Sequence, residues 1–148
     1  MVEHIKGIEC TLPNGKINNL LLSLVDKPYD YYVSWCMKID NSQKALPESS
    51  KDINISAQEL TVLAQSGIWE LVLHIYPAGS ERNIIKTYSD FEHSSCICCL
   101  IFYDCCLLDI YVKDGCLFES MYTHLHILQA ENLELLTNKS YMRDILLP

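Results

Sequence analysis

The run Cys96-Ile-Cys-Cys-Leu-Ile-Phe-Tyr-Asp-Cys-Cys-Leu-Leu-Asp-Ile-Tyr-Val112 constrains the fold more than any other part of this chain. Six of the eight cysteines lie between Cys96 and Cys116. Such a run can be a metal site, a disulfide knot or the centre of a β-sheet. Two apolar stretches of strand length flank Asp104, Ile97–Phe102 and Leu107–Val112, with a tight turn around Asp104-Cys105 between them. That pattern predicts an antiparallel hairpin near 97–112, buried at the middle of a sheet. Free cysteine is among the most often buried residue types, so packing accounts for the thiols without special chemistry.

The chain has 148 residues, the size of one domain, and residues 1–148 show no linker or repeat that would divide it. The start, Met1 to Gly7, carries charges of both signs and no apolar core of a secretory signal. The longest apolar stretch, Cys96–Tyr103, has eight residues, against roughly 20 needed to span a bilayer. The expectation is a cytoplasmic chain with no membrane partner. In a reducing compartment structural disulfides are rare.

A net charge of −8 leaves no basic surface for counterion release from phosphate, which excludes general nucleic-acid affinity. It suits attraction to a basic protein partner.

Alternation at Ile8, Cys10 and Leu12 predicts a first strand. Ile17, Leu20, Leu21, Leu24 and Val25 form one helical stripe. A second strand is expected over Tyr31–Ile39, with Tyr31, Val33, Trp35, Met37 and Ile39 on its buried side. Residues 41–54 read as a polar loop. Ser56-Ala-Gln-Glu59 is a capping box that opens a helix with Leu60, Leu63 and Ala64 inward. Trp69–Tyr76 is a strand with a continuous apolar middle, Glu81–Ser95 is irregular, and Asp114-Gly115 introduces a helix with Leu117, Met121, Leu125 and Leu128 on one face. A short strand at Leu133–Thr137 follows. The expected fold is α+β: one mixed sheet of five to six strands, partly parallel through helical crossovers, with about three helices packed on it.

Several phrases carry a resemblance: Lys6-Gly-Ile-Glu9, Ser56-Ala-Gln-Glu-Leu60, Tyr76-Pro-Ala-Gly79, Lys86-Thr-Tyr-Ser-Asp-Phe91 and Asp109-Ile-Tyr-Val-Lys-Asp114. Together they resemble a family of small uncharacterised proteins from Gram-positive bacteria, a domain of unknown function. The resemblance spans nearly the whole chain and implies no reaction, cofactor or catalytic residue.

The candidate chemistry is limited. The nearest approach to a zinc set is His93, Cys96, Cys98 and Cys105. An extended strand sends adjacent Cys98 and Cys99 to opposite faces, which disfavours shared coordination. Cys116 is the best-placed reactive thiol, in the first turn of the last helix, yet Asp114 and Glu119 beside it favour the neutral form. His124 and His126, two apart, do not share a helix face. Glu70 and Asp109 could face one another across the sheet as a carboxylate pair. Tyr29, Tyr32, Trp35, Tyr88 and Phe91 flank the two long loops and form a candidate binding surface.

No catalytic constellation or cofactor motif stands out. The leading expectation is a non-enzymatic protein-binding module, of the kind of an acidic immunity or antitoxin protein that neutralises a basic partner. The alternatives are a small-molecule-binding or small enzymatic domain with a pocket near His74 and Tyr76, and a cysteine-based metal or redox sensor. Oligomeric state is not legible.

Overall fold

A computed structural model describes residues 5–13, 15–39, 45–50, 52–137 and 146. The chain runs β1 (Ile5–Thr11), α1 (Lys16–Leu22), β2 (Tyr29–Ile39), β3 (Ala45–Ser50), β4 (Ile53–Ile55), α2 (Ala57–Leu63), β5 (Ile68–Pro77), α3 (Tyr88–Glu92), β6 (Cys98–Tyr103), β7 (Leu107–Val112), α4 (Gly115–Ile127) and β8 (Glu131–Thr137). Seven strands lie in the order β3-β2-β5-β6-β7-β1-β8, and β4 pairs with β2 beyond the end of β3.

Every pairing among the described residues is antiparallel, where a mixed sheet of five to six strands was expected. The difference begins at 41–54, read as a loop. Residues 41–44 and 51 lie outside the described residues, but 45–50 and 53–55 are strands that pair with β2. They reverse the chain, so α2 departs from β4 rather than from β2, and β5 comes back antiparallel to β2. Pro47 in this stretch gave a loop signal, yet β3 is an edge strand, where a missing N–H is tolerated.

The helices still act as crossovers. From the pairings, β1, β2 and β6 run one way, and β3, β4, β5, β7 and β8 the other. Thus α1, α2 and α4 each join two strands of the same direction, stepping over at least one strand between them. All three bury their stripes in one cluster with Ile8, Val33, Leu73, Leu100 and Ile110, so they cover the same face of the sheet. On one face, a step in one direction from an upward strand has the same hand as the opposite step from a downward one. The three crossovers therefore share a hand, as packing twisted strands against helices demands.

Their ends follow local chemistry. At α2 both bonds of the Ser56–Glu59 box are present, each 3.1 Å. Asp114 caps α4 by accepting from the Leu117 N–H at 3.0 Å. The fourth helix, α3, lay inside the stretch read as irregular. It is one turn long and opened by a second box, in which Thr87 and Asp90 cap each other's backbone N–H groups.

The opposite face has its own cluster, built from Val72, Tyr76, Ile85, Phe91, Cys96, Cys99, Ile101, Tyr111 and Leu136, with Leu146 against it. Segment 78–97 lies over this face. Lys113 holds it by donating to the Phe91 and Ser94 carbonyls at 2.8 and 2.7 Å.

The β6–β7 hairpin is the element the cysteine run predicted. The Cys106 N–H donates to the Tyr103 carbonyl at 3.3 Å, and the residues between them, Asp104 and Cys105, have φ of 52° and 53°. Positive φ at both positions matches the right-handed twist of the strands and normally selects Asn-Gly. Neighbouring strands fix the turn from both sides. The Cys105 N–H donates to Trp69 O at 3.2 Å, and Leu12 N–H donates to Cys106 O at 2.7 Å.

Candidate functional site

Strand β5 sorts its side chains by simple alternation. Leu71, Leu73 and Ile75 join the helix-side core, while Val72, His74 and Tyr76 point to the other face. His74 lies opposite Tyr32 of β2 and Cys99 of β6 and is 1% exposed. Neither ring nitrogen has a hydrogen-bond partner among the described residues. Buried side-chain nitrogens are nearly always paired, and leaving one unpaired costs about 1–3 kcal/mol. Loss of hydration holds the imidazole pKa down at about 4, with the nearby Asp52 charge opposing only in part. The ring is therefore neutral at pH 7, with one N–H donor and one acceptor to offer.

His74 lines a cavity of about 580 Å³ between the sheet and segment 83–86. Tyr32, Ser34 and Trp35 contribute from β2, Asp52 from the turn before β4, and Asn83, Ile84, Ile85 and Lys86 from the overlying segment. The Tyr32 ring lies 5.7 Å from the His74 ring, tilted by 31°. Its hydroxyl donates to Asp52 Oδ1 at 2.7 Å, and the Arg82 guanidinium sits 4.3 Å from its ring centre. Burial and the Asp52 bond push the Tyr32 pKa up to about 12. Trp35 Nε1–H donates to Glu70 Oε1 at 3.0 Å, which fixes the indole wall.

The overlying segment is tied down by Tyr76. Its hydroxyl accepts from the Asn83 N–H at 3.2 Å and donates to the Asn83 carbonyl at 3.3 Å. Ser95 donates to Asn83 Oδ1 through its N–H at 3.3 Å and to the Glu81 carbonyl through its hydroxyl at 2.8 Å. A smaller cavity of about 280 Å³ has Asp30, Asn54, Tyr76, Ser80 and Arg82 around it, and Arg82 is not among the residues that line the His74 cavity. Asp30 there accepts from the Gly79 N–H at 2.9 Å. A third cavity of about 460 Å³ opens on the helix side between β2, β4 and α2, lined mainly by Val33, Cys36, Ile53, Ile55, Val62 and Leu63. It is larger than the second but presents no unpartnered buried polar group, so the His74 cavity is the stronger candidate.

Tyr32 and Trp35 owe their shared face to a β-bulge. Val33 pairs with Leu73 and Trp35 with Val72, so two steps on β2 match one on β5 and Ser34 is the extra residue. The expectation that Tyr31, Val33 and Trp35 share one buried side fails at this point. Tyr31 and Val33 belong to the helix-side core, and Trp35 crosses to join Tyr32. Tyr88 and Phe91 lie on this second face too, with Tyr88 edge-on to Tyr111 at 5.4 Å and Phe91 fully buried. Tyr29 packs on the helix side, away from the other four.

The zinc set is not brought together. Cys98 faces the helix side, its sulfur 3.9 Å from Met121 Sδ, and Cys96 faces the other, 3.4 Å from the Ile75 carbonyl oxygen. Cys105 is in the turn at the far end of β6, and His93 is exposed, its Nδ1 2.8 Å from the Ser89 carbonyl. Among the described residues no group of three or more His, Cys, Asp or Glu side chains is placed to hold a metal ion. Burial pushes the Cys10 and Cys96 thiols up to about 12 and Cys98 well above its ordinary value. Cys116 is exposed in the first turn of α4. Glu70 and Asp109 share a face, but β6 lies between their strands and Glu70 is bonded to Trp35. No helix among the described residues is long and apolar enough to cross a membrane.

Asp52, Arg82, Asn83 and Lys86 carried no sequence signal. They lie in segments whose path depends on the β3–β4 reversal and on the Tyr76 anchor. The only local marker was Thr87-x-x-Asp90, which ends the overlying segment.

Compared with known proteins, residues 5–147 match the family model described as Protein of unknown function (DUF2691). No curated protein and no solved structure matches the chain.

Proposed function

The chain belongs to the DUF2691 family, proteins of unknown function, and from its geometry we propose that it is a small-molecule-binding domain whose site is the His74 cavity. One observation carries this reading. A neutral imidazole, 1% exposed and without a protein partner among the described residues, lines a cavity of about 580 Å³. Ligand sites typically occupy about 300–1,000 Å³, with mostly apolar walls and a few convergent polar groups. Tyr32, Trp35 and Ile85 supply such walls here. A bound molecule that hydrogen-bonds to His74 would recover the stabilisation the ring lacks in the free protein. Binding rather than catalysis is favoured because the His74 imidazole has no carboxylate bonded to it, among the described residues, to raise its basicity, and no thiol is among the residues that line the cavity.

The test is a metabolite screen by thermal shift, followed by NMR of the His74 ring nitrogens. A true ligand at a hundred times its Kd stabilises by about 2.7 kcal/mol, several degrees in a chain of this size. It must also move the His74 nitrogen resonances. A broad library that moves neither rejects the reading.

A second reading, a non-enzymatic module for a basic protein partner, rests on the net charge of −8 and on the edge strand β8, where Glu131 and Glu134 are exposed. It expects a partner captured from lysate at low salt and released as salt screens the attraction. Capture that is indifferent to salt speaks against it.

A further inference from the structure

Resting on the pocket reading, we propose that the His74 cavity takes a flat aromatic or heteroaromatic ring that carries a carboxylate or phosphate group. The ring would lie against Tyr32 and Trp35 with a polar edge on His74, and the anionic group would meet Lys86 at the cavity wall and Arg82 beyond the Tyr32 ring.

The ring follows from the walls. Trp35 and the part of Tyr32 that Arg82 leaves uncovered present aromatic surface beside the imidazole, and each ring is held in place through its polar atom, Tyr32 by Asp52 and Trp35 by Glu70. Fixed aromatic faces favour flat ligands at small entropic cost. The neutral His74 ring discriminates by hydrogen bonding rather than by charge.

The anion follows from which charges are already engaged. Four carboxylates lie in this region, and each accepts a protein hydrogen bond: Asp52 from the Tyr32 hydroxyl, Asp30 from the Gly79 N–H, Glu70 from Trp35 Nε1–H, and Asp90 from the Lys86 and Thr87 N–H groups. Two cations lie there as well. Neither Arg82 nor Lys86 has a carboxylate within 4 Å of its charged nitrogens among the described residues, although the Lys86 charge adds to the backbone N–H bonds that hold the Asp90 carboxyl below its ordinary value. Arg82 is stacked on the Tyr32 ring, which leaves the edge of its guanidinium open to bidentate contact with a carboxylate or phosphate. Lys86 adds a second positive charge to the cavity wall. Arg82 borders the smaller cavity rather than the His74 cavity, so the anionic group reaches it past the Tyr32 ring, toward Ser80.

The test compares matched pairs of probes by calorimetry and by NMR of the His74 nitrogens: uridine 5′-monophosphate with uridine, and indole-3-acetate with indole-3-acetamide. The expected result is that the charged member of at least one pair binds about tenfold more tightly than the neutral one. An Arg82→Gln/Lys86→Gln double variant should abolish that preference, while Lys27→Gln, remote from the cavity, should keep it. His74→Leu should weaken both members of the pair. Arg82 and Lys86 are exposed and Lys27 is half-buried, and an unchanged melting temperature verifies the fold of each variant. If charged and neutral members bind equally and shift His74, the anion class is overturned and the pocket reading stands. If no probe binds or binding leaves His74 unshifted, while the metabolite screen yields a ligand that does shift it, the ring-and-anion class falls alone; if the screen yields none either, both fall.

Discussion

His74 is the residue at which packing and solvation are most opposed. Its native pKa is about 4 and its ordinary value is 6.5, so between these limits the unfolded chain binds a proton that the native protein does not. Stability then rises with pH across that window. It is fully present above pH 6.5 and falls as pH drops toward 4, by about 3 kcal/mol at 1.36 kcal/mol per unit. Once the native ring is itself protonated, the slope ends. His74→Leu keeps the volume and removes the titration, so its urea stability should lose this component of the slope. Parallel pH profiles for variant and wild type would show that the imidazole is hydrated in the native state.

Among the elements, β1 depends on a single missing side chain. A Cβ at Gly7 would run into the carbonyl oxygen of Ile110 on β7, with Tyr111 Cδ1 only 3.2 Å away. Gly7 also lies at a register shift between β1 and β8. Backbone cannot yield as a flexible side chain does. Gly7→Ala should therefore destabilise by about 1–3 kcal/mol, the cost of overpacking, read as a lower urea midpoint. An unchanged midpoint would mean that β1 and β7 do not approach as described. At this scale the sequence was legible where a period is sustained. The stripes of α1, α2 and α4 and the hairpin all formed, because a run of apolar residues at one spacing has one favourable burial. It was not legible at β3 and β4, whose strands exist through pairing with β2, nor at the Ser34 bulge, which breaks the period without changing the residue types.

For the molecule as a whole, the cysteines trace how the sheet divides its two cores. Cys10, Cys36 and Cys98 lie in the helix-side cluster, and Cys96 and Cys99 lie in the other. All five are buried, Cys105 and Cys106 are intermediate, and Cys116 is exposed. Native labelling with iodoacetamide, read by mass spectrometry, should modify Cys116 first and the Cys105–Cys106 turn next. The remaining five should react only when denaturant opens both cores. An adduct on Cys96 or Cys98 under native conditions would contradict the placement of β6 at the sheet centre.

Composition and spacing alone determined the α+β class, the buried cysteine hairpin, the faces of α1, α2 and α4 and the caps that open α2 and α4, since each depends on residues within a few turns of one another. The paired aromatics Tyr32 and Trp35, the partnerless His74 and the cations above it were decided by tertiary structure. Their meeting requires a bulge, a chain reversal at one sheet edge and an anchored overlying segment. Each of those arises from contacts between strands distant in sequence, where no local pattern records which neighbour a residue will have.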